Sequence, residues 1–160
     1  MTKFLAPLVL SIYLFASFTS KDIDPEGHCL ALNIYFEARS SNLADQYAVA
    51  DVVLNRVDSP SYPSSICDVV KQGKHYNGIP IKDSCQFSWY CDGKSDIPTD
   101  TDAWNNAQLV ALQILDHDTF RGISEQSTHY HAHYVHPYWA NHLHLVGTIG
   151  AHKYYRKLKD

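Results

Sequence analysis

The chain has 160 residues, a length suited to one domain, with 45% hydrophobic and 19% charged residues. That composition supports a packed core and excludes global disorder. A net charge of −4, with no long Lys/Arg cluster, argues against a nucleic-acid partner, and the short basic tail from Lys153 to Lys159 reads as a solvated terminus.

Met1-Thr2-Lys3 carries one positive side chain, residues 4–18 are almost wholly apolar or small, and Ser20-Lys21-Asp22 is polar again. This is the three-part pattern of a secretory signal. The apolar run is short for a spanning helix, which needs roughly 20 residues. Cleavage after Thr19 places Ser17 three residues upstream, which is tolerable; cleavage after Ser20 places Phe18 there, which is not. Residues 1–20 are therefore read as a signal peptide or an N-terminal membrane anchor of an exported protein. Residues 25–157 are read as one folded domain, expected to be a monomer.

Asp24-Pro25-Glu26 is a helix start, with Asp as N-cap, Pro at the first position and an acid in the first turn. The helix should run to about Arg39, and Ser40-Ser41-Asn42 should break it. A second helix follows, with Leu43, Tyr47, Ala50, Leu54 and Val57 on one face, ending at Ser59-Pro60. A short third helix fits residues 64–72. Residues 73–98 hold three glycines and two prolines and read as a loop region. Asp100 or Thr101 can cap a fourth helix that aligns Ala103, Ala107, Val110 and Ile114. Residues 129–135 and 148–155 suggest strands. The expected fold class is α+β, mainly helical, with a small β element.

The four cysteines, Cys29, Cys67, Cys85 and Cys91, all follow the export signal and read as two disulfides. Three pairings are open. A local Cys85–Cys91 bridge would close the loop around residues 86–89 and leave Cys29–Cys67 to tie the first helix to the third. Loop entropy assigns about 4 kcal/mol to the long bridge and roughly 2 kcal/mol to the short one. A four-cysteine zinc site is disfavoured because no C-x2-C pair exists.

Three groups of residues can carry chemistry. Glu37 lies on the first helix near Leu30, Ile34 and Phe36. Apolar surroundings disfavour a charged carboxylate, raise its pKa and suit it to act as a general acid. Gln86-Phe87-Ser88-Trp89 places an amide and a hydroxyl among aromatic rings, a pattern suited to sugar binding. Thr128-His129-Tyr130-His131-Ala132-His133 alternates, so on a strand His129, His131 and His133 would share a face. That face could hold Zn²⁺, but no acid alternates with the histidines as a general base, and hydrogen bonding in a sugar cleft is the preferred reading. No metal or other cofactor is expected.

Taken in order, these segments resemble the SleB/CwlJ cell wall hydrolase family. The matching stretches are Cys29-Leu-Ala-Leu-Asn-Ile-Tyr-Phe-Glu37-Ala-Arg39, Ala48 to Arg56, Tyr62 to Val70, Cys85 to Gly93, Thr128 to Ala140, and Ile149 to Tyr155. The resemblance spans about residues 28 to 156. It implies a lysozyme-like fold related to lytic transglycosylases, peptidoglycan glycan strands as partner, and cleavage of the β-1,4 bond between N-acetylmuramic acid and N-acetylglucosamine. It maps the catalytic acid onto Glu37, and the cleft onto Gln86, Phe87, Ser88, Trp89, Thr128, His129 and Tyr130. Two departures, Ser40-Ser41 after Glu-Ala-Arg and Gln126-Ser127 before Thr-His-Tyr, bear on local backbone shape and substrate preference.

Simple glycoside hydrolysis needs a second carboxylate. Asp45, Asp51 and Asp92 are available but read as structural, so a lone Glu37 favours lytic transglycosylation. The alternatives are a metal-dependent hydrolase or amidase built on His129, His131 and His133, and a non-catalytic peptidoglycan-binding module.

Overall fold

A computed structural model describes residues 23–158. The segment read as a signal or anchor, residues 1–20, lies outside the described residues. Among those described, no helix is long and apolar enough to cross a membrane.

The four helices start where their caps lie. Helix α1 (Pro25–Ala38) is capped by Asp24, whose Oδ1 accepts the Gly27 N–H at 2.7 Å. Helix α2 (Leu43–Val57) is capped by Asn42, and α3 (Ile66–Val70) by Ser65. The Glu26 carboxylate reaches across from α1 to take the Ile66 and Cys67 N–H groups at 2.6 and 3.1 Å, so two orphan donors of α3 are satisfied from another helix. Helix α4 (Thr101–His117) is capped by Asp100 and aligns Ala107, Val110, Ala111 and Ile114 into the core. The Tyr35 hydroxyl accepts the Thr99 and Asp100 N–H groups, pinning the entry to α4 on α1.

Helix α1 is central and packs against α2, α3 and α4. Leu30, Ile34, Val53, Val69, Val110 and Ile114 are among the side chains fully enclosed in the core. Helix α2 is buried on more than the one face its spacing indicated: every residue from Asp45 to Val53 is buried, while Leu43 at its start is exposed. Both disulfides form, Cys29–Cys67 between α1 and α3 and Cys85–Cys91 locally.

The region read as loop between residues 73 and 98 contains a hairpin, β1 (Gly73–Tyr76) and β2 (Ile79–Cys85), followed by a 3₁₀ turn at Ser88–Cys91. Its turn residues Asn77 and Gly78 both take positive φ, the requirement of a tight hairpin turn. A second, three-stranded antiparallel sheet has the order β3-β5-β4 (His129–Ala132, His152–Arg156 and His144–Ile149). The single strand expected over residues 148–155 is thus two strands joined at Gly150, whose φ of +54° turns the chain. An ideal Cβ there would lie 2.6 Å from the Asp45 Cβ, so glycine also permits the close approach of the turn to α2.

Candidate active site

Glu37 occupies the last turn of α1, where the helix emerges from the core. Its carboxylate opens into a cavity of about 130 Å³ shared with Arg56, Gln86, Phe87, Ser88 and Tyr130. The Tyr130 hydroxyl, brought over by strand β3, donates to Glu37 Oε2 at 3.1 Å. Burial pushes the Glu37 pKa above the ordinary carboxyl value; the Tyr130 hydrogen bond and the proximity of His152 and Arg56 oppose the shift without cancelling it. A carboxyl so placed retains its proton to higher pH than a solvated one, which a general acid requires.

Tyr130 is itself held on three sides. Its ring lies 6.4 Å from Phe87, 5.1 Å from His152 and 5.6 Å from Tyr154. Behind these rings the fully buried Asp45 accepts from His152 Nδ1 at 2.9 Å, Tyr154 Oη at 2.6 Å, the Ala151 N–H at 3.0 Å and the Ser41 hydroxyl. Burial alone would raise the Asp45 pKa, but the hydrogen bonds from His152, Ser41 and Tyr154 outweigh it and hold the carboxyl below its ordinary value. Asp45 therefore acts as a fixed negative post joining α2 to β5.

Arg56 is a site residue that sequence reasoning did not select. It is only 5% exposed. Nε donates to the Thr128 carbonyl at 2.8 Å, and the guanidinium lies over the Tyr62 ring at 5.3 Å and the Phe87 ring at 5.0 Å. Nη1 is buried without a hydrogen-bond partner among the described residues. A buried cation with no ion pair among the described residues, on the wall that also carries Glu37, favours the ionised form of that carboxyl. The available signal was a cation on a helical stripe otherwise filled by Val49, Val52 and Val53, and only burial reveals its meaning.

The two aromatic residues of the Gln-Phe-Ser-Trp segment differ in placement from the polar ones. Gln86 and Ser88 are exposed at the cavity mouth, and Phe87 forms its floor. Trp89 is 8% exposed, stacks on Phe36 at 4.8 Å and donates Nε1–H to Asn33 Oδ1 at 3.0 Å. It anchors the loop in the core and offers no open sugar-stacking face. Thr128 lies just beyond the cavity, where its carbonyl fixes Arg56. His129 packs 5.3 Å from Trp139, and its pKa is lowered to about 4 by burial and by the charges of Arg56 and Lys157.

The three alternating histidines do not converge. His131 is buried, with Nδ1 against the Ala132 carbonyl and Nε2 against the Tyr155 hydroxyl; His133, past the end of β3, is exposed and meets the Ala151 carbonyl. Among the described residues no group of three His, Cys, Asp or Glu is arranged to hold a metal ion. The candidate second carboxylates also lie away from the cavity. Asp45 is engaged as above. Asp51 is fully buried and binds Arg121, the Gly122 and Ser124 N–H groups and the Ser124 hydroxyl. Asp92 caps the Lys94 N–H at 2.8 Å. Glu37 is the one carboxylate lining the cavity among the described residues.

A helical layer around α1, with a small sheet delivering a hydrogen-bond donor to an acid at its end, is an α+β, lysozyme-like arrangement. The fold is similar to that of the catalytic domain of the Bacillus cereus SleB protein, with a TM-score of 0.55, 22% sequence identity, and coverage of 85% of this chain and 94% of that one. No curated protein matches the chain in sequence. The chain belongs to the cell wall hydrolase family, whose model matches residues 40–155. Peptidoglycan is accordingly the substrate class, and two disulfides suit an exported protein. The matched span begins just past Glu37 and does not reach that residue.

Proposed function

We propose that the protein cleaves the β-1,4 bond between N-acetylmuramic acid and N-acetylglucosamine as a lytic transglycosylase, acting as an exported monomer with Glu37 as its catalytic acid. The observation that carries this reading is the cavity itself, which holds a half-buried carboxyl with raised pKa and no second carboxylate among the described residues. Protonated Glu37 donates to the glycosidic oxygen while the sugar develops oxocarbenium character, and the bond to the leaving sugar breaks. Ionised Glu37 then takes the proton of the muramyl 6-hydroxyl, whose oxygen closes onto the anomeric carbon to form a 1,6-anhydro ring. Tyr130 and Arg56 stabilise the carboxylate between the two transfers. Gln86, Ser88 and Phe87 contact the glycan at the mouth and floor of the cavity, with Thr128 and His129 at its edge.

The test is mass spectrometry of the products released from isolated peptidoglycan. Transglycosylation yields muropeptides lighter than hydrolytic ones by about 18 Da, one water. Reducing-end products would refute the anhydro step and require a water-activating base. Glu37→Gln should abolish release while leaving the fold intact; near-normal cleavage by that variant would remove Glu37 from the mechanism.

A further inference from the structure

Beside the Glu37 cavity lies a broad open groove of about 910 Å³, walled by the end of α2, the loop before β3 and the end of β5. The two spaces are separated by Arg56: its guanidinium packs on Tyr62 and its Nε binds the Thr128 carbonyl, and both Tyr62 and Thr128 line the groove. The groove carries three cations, Arg121, Arg156 and Lys157, against one carboxylate, Asp58. Arg121 is committed to Asp51 and Asp58. Among the described residues, Arg156 gives Nη1 only to the neutral Glu125 carbonyl at 3.2 Å, and Lys157 is exposed with no ion pair. The positive field reaches the cavity edge, since the Lys157 charge contributes to holding the His129 pKa down.

We propose that this groove binds the anionic peptide stem carried by the muramyl sugar, with Arg156 and Lys157 pairing its carboxylates. The proposal rests on the reading of Glu37 as a glycan-cleaving acid. A strand seated over Glu37 must direct its substituents somewhere, and the groove opens directly beside that seat. Short peptides bearing carboxylates match it in charge, and its volume is several times that of the cavity. The basic residues that look like a solvated tail in the sequence thereby become a specificity element. Loop 121–128 is a rigid wall for this purpose, because Asp51 ties down Arg121, Gly122 and Ser124, and Asn55 Nδ2 binds the Ser127 carbonyl at 2.9 Å.

The experiment is co-sedimentation of purified protein with two preparations of peptidoglycan, one with stems intact and one stripped of them by an amidase. Two exposed ion pairs should give roughly fivefold tighter binding to intact material, a preference that shrinks at high salt. Arg156→Gln with Lys157→Gln should erase the preference. Lys157→Glu, a change at an exposed position that leaves the core untouched, should abolish or reverse it. Equal affinity of the unmodified protein for both preparations would overturn the proposal, as would a preference that survives in both variants. A preference that follows removal of wall phosphate polymers, and not of stems, would overturn it too. If the protein prefers intact stems but cleaves neither preparation, the glycan-cleaving role falls while the groove assignment stands.

Discussion

Asp51→Asn tests whether the loop that delivers β3 is held by one buried carboxylate. Asp51 Oδ1 accepts from Arg121 and from the Gly122 N–H at 2.9 Å, and Oδ2 accepts from the Ser124 N–H at 3.0 Å and the Ser124 hydroxyl. An amide in this position turns one oxygen into a donor that faces donors, so two hydrogen bonds are lost at about 1 kcal/mol each. Arg121 also loses its buried counter-charge. Removing one partner of a buried pair costs about 3–5 kcal/mol, and the lower end applies because Arg121 is partly exposed and keeps Asp58 and Asn55. The cost of breaking the buried pair already contains the lost hydrogen bonds, so the two figures are not summed and the expected loss is about 3 kcal/mol. With a urea slope of about 2 kcal/mol per molar, the unfolding midpoint should fall by roughly 1.5 M at unchanged slope. Cleavage should fall as well, because Thr128 and Tyr130 follow directly on this loop. A midpoint lowered by less than about 0.3 M would show that the loop is held by other contacts.

Tyr130→Phe removes a hydrogen bond that favours ionised Glu37, so the Glu37 pKa should rise further. The acid is competent below its pKa and silent above it; the alkaline limb of the pH–rate profile should therefore move to higher pH, and an unmoved limb would disconnect Tyr130 from the acid. Arg56→Met removes the cation stacked on Tyr62 and Phe87 and should reduce kcat by about tenfold, a change of about 1.4 kcal/mol in barrier, with the same upward direction of the alkaline limb; kinetics with unaltered pH dependence would make its role purely structural. Replacing Cys29 and Cys67 by Ser should cost about 4 kcal/mol, and replacing Cys85 and Cys91 roughly 2 kcal/mol, in urea unfolding; the reverse order would contradict the loop-entropy account.

Helix starts were legible in the sequence because capping is local. Asp24-Pro25-Glu26, Asn42 and Asp100 each announce their helix within four residues. The β1–β2 hairpin escaped because its strands are mostly exposed and lack an alternating apolar face; the Asn77-Gly78 turn was its available marker. Strand β4 escaped for a similar reason, since only part of its residues are covered. The alternation of His129, His131 and His133 suggested a shared face, but β3 ends at Ala132 and the three rings find separate partners. Glu37 stood out as a carboxylate among apolar neighbours. The placements of Arg56 and Trp89 depend on contacts between distant segments, and no local pattern encodes which aromatic ring lines the cavity and which fills the core.

Placing Glu37 in the last turn of α1 sets its carboxylate against the helix that carries it. The negative end of a helix macrodipole disfavours a carboxylate by about 0.3–1 kcal/mol, and α1 has no basic residue in that turn to offset it. The ionised state of Glu37 is thus the less comfortable one for the helix, and under the proposed mechanism this favours the second transfer, in which Glu37 regains its proton. The same conflict means that the Glu37→Gln variant should melt slightly above the unmodified protein. The protein gives up a little stability to keep a carboxyl at the cavity wall.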